Sequence, residues 1–478
     1  MTAFPDRIGR SLPAAVGTAR SSGTASRERL PWPIAIFLIL VIIPASFNLG
    51  PFLLTPLRLY LIVMILPLMF GWIRGRFGRI IATDILFILH LVWASVALGI
   101  NNPDKVIENI GSAGLEFLGG YMLTRAYVRN RADFMALCRF MGWLVVFTLP
   151  FALVESQTGH PVIIQLLDKI PGIRVPADVH HPPRLGLLRS QVMLVHPIHY
   201  GLFCSTAFAL TFVGLRDSMS THRRWATSGA VALCTLLSLS SGAFLALLLQ
   251  FGLITWSIMI GRHGKSWLIL LSIFSVCYVI VDTISNRSGI EVFLSYATLS
   301  PATAYWRTII FEWGMKNVWA NPIFGIGLND WVRPWFMYSG SMDNFWLVNA
   351  VRYGIPGFIL LAAGYGLAIW QVGRQDFSSD RQLSNLRLAW MITFCGLTFT
   401  LCTVHVWTTL YSFVFFTFGS GIWFMDARPG SGKDADIQAS TPPKCGVSYS
   451  RITETNDAPA RSDTDHPNSN GLDRKSVV

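Results

Sequence analysis

The sequence predicts an all-α polytopic membrane protein: about 12 transmembrane helices and two long loops on one side that contain short helices. Three observations predict it. Apolar residues make up 52% of the 478 residues and charged residues only 13%, against about a quarter charged in soluble domains. The apolar residues come in runs near the length of about 20 that a helix needs to cross a hydrocarbon core. Arginine and lysine gather in short clusters between those runs, as orientation signals do. The formal net charge of +12 therefore does not point to nucleic acid. No basic stripe with a reader motif accompanies it, and no nucleic-acid partner is expected.

Residues 1–31 are polar and carry Arg7, Arg10, Arg20, Arg27 and Arg29. The next segment is span-length and lacks a clear small-x-small cleavage site, so it reads as an uncleaved anchor behind a disordered cytoplasmic segment. The membrane domain is expected over 32–426, with spans at 32–49, 52–73, 80–99, 107–126, 136–155, 197–215, 225–240, 242–261, 266–285, 353–372, 386–405 and 408–426. Ser238, Ser240, Ser241 and Gly242 make either a tight turn or a break in one longer unit.

Loop charge sets the orientation. Arg74, Arg76, Arg79, Arg125, Arg129, Arg131, Arg216, Arg223, Arg224, Arg262, Lys265, Arg374, Arg381 and Arg387 share one side with the N-terminus. Short loops on the other side carry little besides Lys105. Positive charge marks the cytoplasm, and an even number of spans puts both termini there. Loops 156–196 and 286–352 then face outward; long loops translocate despite their charge. The 427–478 tail is rich in Ser, Asp, Pro and Asn and is expected to be disordered and cytoplasmic. The seven cysteines show no CxxC pair and no zinc spacing, which suggests small buried hydrophobes and neither disulfides nor a metal site.

Two outward segments carry the chemistry. In the first, Arg184 and Arg189 precede His196-Pro197-Ile198-His199. Guanidinium groups suit phosphate oxygens, whereas the bland alternative is contact with lipid headgroups. A histidine beside a helix start is often only a cap or packing residue, so His196 and His199 rank lower. In the second, 304–357, Arg307 is a further phosphate donor and Asp343 a carboxylate able to act as a base. Trp306, Trp313 and Trp331 offer planes for stacking on sugar, against an interfacial aromatic belt as the alternative. Gly325 and Gly327 permit either close backbone approach to a ligand or simple turns. Arg58, Asp84, His90, Glu116 and Glu155 fall in apolar runs, where each needs a partner or a wet cavity. Arg58 with Glu116 is one structural pairing; a proton or ion pathway is the transporter alternative.

Three motifs in order resemble the O-antigen ligase and Wzy-type polysaccharide polymerase superfamily. They are RLGLLRSQVMLVHPIHYG at 184–201, SLSSGAFLALLLQ at 238–250, and Arg307-x5-Trp313 followed by NPIFGIGLNDW at 321–331 and DNFWLVNAVRYGIPG at 343–357. The resemblance departs where many members have His-Asn and this chain has Asp343-Asn344, and where some have Ser-Arg-Gly and this chain has Ser240-Ser241-Gly242. It implies metal-independent glycosyl transfer, without a cofactor, on the periplasmic face of a bacterial inner membrane. The donor it implies is a polyprenyl-diphosphate-linked oligosaccharide. The acceptor is a second lipid-linked repeat in a polymerase, which the exopolysaccharide-polymerase-like pattern favours, or lipid A-core in a ligase. Arg184, Arg189 and Arg307 would face the diphosphate, with Arg58 a further contact within the bundle. Asp343 would activate the acceptor, with His196 or His199 in reserve. A flippase and chain-length or export proteins are the implied partners.

Overall fold

Apolar runs flanked by caps and prolines give helices, and the order of the helices follows the order of the runs. The structure is a computed structural model, and it describes residues 29–49, 52–177, 183–260, 266–285 and 301–429. The N-terminal segment (1–28), nearly all of the tail (430–478), Pro182, Arg262, Lys265 and the start of the second loop (286–300) lie outside the described residues.

The helices are α1 (Trp32–Ile42), α2 (Pro56–Ile73), α3 (Ala82–Asn101), α4 (Val106–Tyr127), α5 (Arg131–Thr158), α6 (Val162–Asp168) and α7 (Pro197–Phe212). They continue as α8 (Thr221–Leu237), α9 (Ser241–Ile260), α10 (Ser266–Ile284), α11 (Pro301–Ala320), α12 (Phe345–Gly373), α13 (Arg381–Leu401) and α14 (Thr409–Gly419). Every expected span contains a helix, and 238–240 is a turn between two helices. Among the described residues, six helices are long and apolar enough to cross a membrane: α2, α3, α5, α9, α12 and, from Trp267, α10.

Several boundaries move. The expected 32–49 span stops at Ile42, two residues before Pro44, and gives way to an antiparallel hairpin of β1 (Phe47–Leu49) and β2 (Phe52–Leu54). Pro44 has no N–H for a continuing helix. The expected 52–73 span starts only at Pro56, where Thr55 Oγ1 accepts from Arg58 N at 3.2 Å. The second outer loop holds a 20-residue helix, α11, rather than short ones. Cys138, Cys204 and Cys234 are buried as expected, whereas Cys277, Cys395 and Cys402 are exposed.

The core forms around α7, most of whose residues are buried. It packs against α5, α8, α9 and α13. Gln250 of α9 inserts into the backbone ladder of α7, with Nε2 donating to Ser205 O at 2.9 Å and Oε1 accepting from Ala209 N at 3.2 Å. Elsewhere α14 packs on α4 and α12 on α3.

Connections sort into two ends. At one end Arg131 pairs with Asp380, Arg79 reaches Asp426 at 3.3 Å, and Asn385 donates to Asp217 at 2.7 Å. These belong to the loops whose arginines set the expected orientation. At the other end Ser46 meets Arg174, Asn102 meets Asn329, and Phe345 N donates to Val404 O. This second end carries both outer loops.

One break in α12 shapes that end. Gly354 has φ 73° and ψ 179°, a region open only to glycine, and Pro356 follows. The carbonyls of Val351 and Arg352, freed by the break, accept from Ile326 N (2.9 Å) and Gly327 N (3.0 Å), while Ile355 N donates to Pro322 O (2.8 Å). Gly325 and Gly327, at φ 62° and 64°, are the turn that makes this docking possible. A Cβ on either would collide with the α12 backbone or with Asn101 and Asn102. The Gly-x-Gly thus brings backbone to backbone, locking 321–331 onto the broken helix.

Candidate active site

Chain segments distant in sequence converge at the second end. The 184–196 segment is tied down first. Arg184 and Leu187 exchange backbone hydrogen bonds of 2.9 and 3.0 Å across a tight turn, with Leu185 at φ 53° and Gly186 at φ 76°. Leu188 N donates to Ser156 O, and Ser190 N to Leu237 O, at 2.9 and 3.1 Å. The Glu155 carboxylate accepts from Gln191 N at 2.9 Å and Val192 N at 2.8 Å. Glu155 is therefore a fastening for the loop that carries Arg189.

Arg184, Arg189 and Arg307 are each half-buried. Arg184 Nη1 donates to Leu239 O in the α8–α9 turn at 2.8 Å. Arg189 Nε, Arg307 Nε and Arg307 Nη1 are buried with no hydrogen-bond partner. Buried N–H groups without acceptors are costly; Arg125 Nε and Arg224 Nε are in the same state elsewhere in the protein. Burial pushes the Arg189 guanidinium down to about 10, with the Arg184 charge adding to the effect. Burial also lowers Arg184. Arg307 is lowered by burial, against the opposing pull of the Asp343 carboxylate, and Arg184 lowers it further. Arg184 thus lies within electrostatic reach of both Arg189 and Arg307, and Asp343 within reach of Arg307; all three arginines stay charged at neutral pH.

Asp343 is half-buried just before the N-terminus of α12, with Oδ1 accepting from Ser341 Oγ at 2.9 Å. Asn344 caps that helix, its Oδ1 accepting from Leu347 N at 3.0 Å. His196 caps α7, with Nδ1 accepting from Ile198 N at 3.1 Å. That nitrogen is committed to the backbone, the bland role that its position beside a helix start suggested. His199 is buried, with Nε2 unpartnered, its ring centroid 4.1 Å from that of Trp407.

Other expected site residues lie elsewhere. Arg58 Nε donates to Glu116 Oε1 at 2.7 Å, the structural pair that the sequence suggested. Asp84 accepts from Arg125 Nη2 at 2.7 Å and from the Tyr121 hydroxyl at 2.5 Å. His90 Nδ1 donates to Gly357 O at 2.8 Å. The ionisable groups within the bundle are thus met by structural partners. Trp313 packs under the Lys316 ammonium at 4.2 Å, and Trp306 lies beside Phe336. Of the three singled-out tryptophans, Trp331 lines a cavity, and its Nε1 donates to Gly340 O at 3.0 Å.

That cavity, about 460 Å³, is lined by Trp331, Asn329, Asp330, Arg352, His405 and Trp407 among others. Sequence reasoning missed Arg352, His405 and Trp407. His405 reads as the last residue of the 386–405 span, Trp407 as part of the short join to 408–426, and Arg352 as a charge at the rim of 353–372. The available signal was a His and a Trp two residues apart where two spans meet.

Backbone strain concentrates here too. Among the described residues, the non-glycine positions with positive φ are Leu185, Val192, Leu239 and Thr408. Each belongs to a segment that carries or contacts an arginine or histidine above. Val192 and Thr408 are β-branched, for which this region is a true outlier, and strain of this kind gathers at functional sites. Among the described residues no group of three or more His, Cys, Asp or Glu could hold a metal ion.

Residues 226–362 match the family model described as O-antigen ligase. No curated protein matches the chain. The matched stretch contains the α8–α9 turn, Arg307, the Gly325–Gly327 turn, Asp343 and the break in α12; Arg184, Arg189 and His405 lie outside it. This stretch, less than a third of the chain, supports the resemblance to the O-antigen ligase/Wzy-type superfamily that the motifs suggested.

Proposed function

We propose that the protein is a membrane glycosyltransferase that joins polyprenyl-diphosphate-linked oligosaccharide repeats into an exopolysaccharide or O-antigen-type polymer. The reading places the arginine end on the periplasmic face of a bacterial inner membrane, the basic end and both termini in the cytoplasm, and the chain across the bilayer twelve times. The observation that carries it is the set of unpartnered buried donors on Arg189 and Arg307, with Arg184 beside them.

In this mechanism the acceptor hydroxyl oxygen attacks the anomeric carbon as the bond from that carbon to the diphosphate oxygen breaks. The electron pair leaves with the diphosphate. Negative charge grows there and oxocarbenium-like positive charge grows on the sugar. Fixed guanidinium donors stabilise the growing negative charge more than the ground state, which lowers the barrier. Asp343, within electrostatic reach of Arg307, takes or orients the acceptor proton. Its place next to Arg307 also holds acceptor and leaving group close together. The chemistry needs no metal in this reading. A flippase supplies the outward-facing repeats, and chain-length or export proteins take the product.

The ligase reading keeps the same donor chemistry and changes the acceptor to lipid A-core. Glycan analysis of a deletion strain separates the two. The polymerase predicts outward-facing single repeats left unjoined, and the ligase predicts long polymer left on its lipid carrier. Polymer growth unchanged in both Arg189→Ala and Arg307→Ala, at normal protein level, would remove the arginine assignment.

A further inference from the structure

The cavity beside the arginine cluster is built differently from the cluster. Trp331 and Trp407 give it broad apolar walls, while Asn329, Asp330, Arg352 and His405 give it hydrogen-bonding groups of both kinds. The Asp330 carboxylate, hydrogen-bonded to Arg333 and held below the usual carboxylate range by it, disfavours an anionic ligand. At about 460 Å³ the volume falls within the roughly 300–1,000 Å³ of small-ligand pockets, room for about one or two sugar rings. His405 Nδ1 is buried and unpartnered. Its ring stacks at 6.4 Å on Phe345, two residues from Asp343, and lies 6.0 Å from Trp407. Phe345 N is tied to Val404 O at 3.2 Å, which fixes the histidine loop against the start of α12. A neutral pyranose meets all these features: flat C–H faces for the indoles and hydroxyls for the polar atoms.

We propose that this cavity is the acceptor-glycan subsite, and that His405 Nδ1 accepts a hydrogen bond from a hydroxyl of the acceptor's neutral sugar. The proposal rests on the glycosyl-transfer reading above. His405 then fixes which hydroxyl is presented near Asp343, and so contributes to the linkage formed.

The test uses the full chain in nanodiscs and the single-repeat oligosaccharide released by mild acid from lipid-linked repeats of a deletion strain. Binding is followed by tryptophan fluorescence, with inorganic diphosphate as a second ligand and melting temperature as a check on folding. His405→Ala weakens oligosaccharide binding about tenfold, the equivalent of one hydrogen bond of about 1.4 kcal/mol. His405→Asn, whose amide oxygen reaches the Nδ1 position, recovers to within about threefold of the wild type on the same reasoning. Diphosphate binding stays unchanged in both. Oligosaccharide binding by His405→Ala equal to the wild type overturns the proposal. So does a parallel loss of both ligands with a lowered melting temperature, which makes His405 structural. A deletion strain that accumulates no single repeats, makes normal polymer and still attaches it to lipid A-core overturns the glycosyl-transfer reading itself, and the subsite with it.

Discussion

Glu155 gives the sharpest link between packing and site geometry. Its two carboxylate oxygens accept from the backbone N–H groups of Gln191 and Val192 at 2.9 and 2.8 Å. They hold Val192 at φ 55°, a conformation a β-branched residue avoids. Arg189 is two residues upstream of Gln191, so the same bonds set where its guanidinium lies. Glu155→Gln keeps the shape but turns one acceptor into an amide that confronts an N–H. One hydrogen bond to a charged group is lost, about 1.5–3 kcal/mol, and the other becomes a neutral one, weaker by about 1 kcal/mol. The local cost is therefore about 2–4 kcal/mol, a factor of roughly 30 to 1,000 in the closed-to-open ratio of the loop. Hydrogen exchange on the purified protein measures this ratio directly: amides 190–194 lose protection by that factor, while those in the centre of α7 keep theirs. Polymer yield in cells falls with it, because a mobile Arg189 no longer waits where charge develops. A change in protection below about threefold would refute the argument and leave Val192 held by the rest of the loop.

Four further outcomes follow from the same geometry. Arg307→Lys keeps the charge but loses the planar fork, so polymer yield drops by about tenfold or more, and Arg307→Ala lowers it further; both are read by gel profile at matched protein level. Binding of inorganic diphosphate does not fall between about pH 7 and 9, because the arginines, even with Arg189 lowered to about 10, remain protonated below that value while the diphosphate itself only gains negative charge. A fall across that window would assign the anion to histidine instead. Asp84→Asn strips the charge partner from buried Arg125 and costs about 3–5 kcal/mol, seen as a lower melting temperature; Asp84→Leu with Arg125→Met recovers most of it. Gly354→Ala forces a side chain into a glycine-only conformation against Ile323 O and destabilises the fold by more than about 2 kcal/mol, whereas Gly366→Ala, which meets nothing within 4 Å, is tolerated.

The sequence by itself determined where the helices run, which loops share an end, and which residue types stand in the 156–196 and 286–352 loops. Those features follow from local composition: a run of apolar residues is a helix in lipid because its own backbone must satisfy itself. It also carried the family motifs, and it suggested the Arg58–Glu116 pair because burying either charge alone is too costly. It could not determine which arginines were spoken for. Arg58 and Arg125 pair with carboxylates, Arg125 through Nη2 with its Nε left unpartnered, whereas Arg189 and Arg307 keep unpartnered buried donors without a carboxylate hydrogen bond among the described residues. That difference arises from contacts between α2 and α4, between α3 and α4, and among loops far apart in the chain. Nor could it place His405, whose loop is set against the start of α12 by the long-range bond from Phe345 N to Val404 O. A long-range partner is fixed by where two backbones meet, and here those meetings are set by a broken helix, a Gly-x-Gly turn and one buried glutamate.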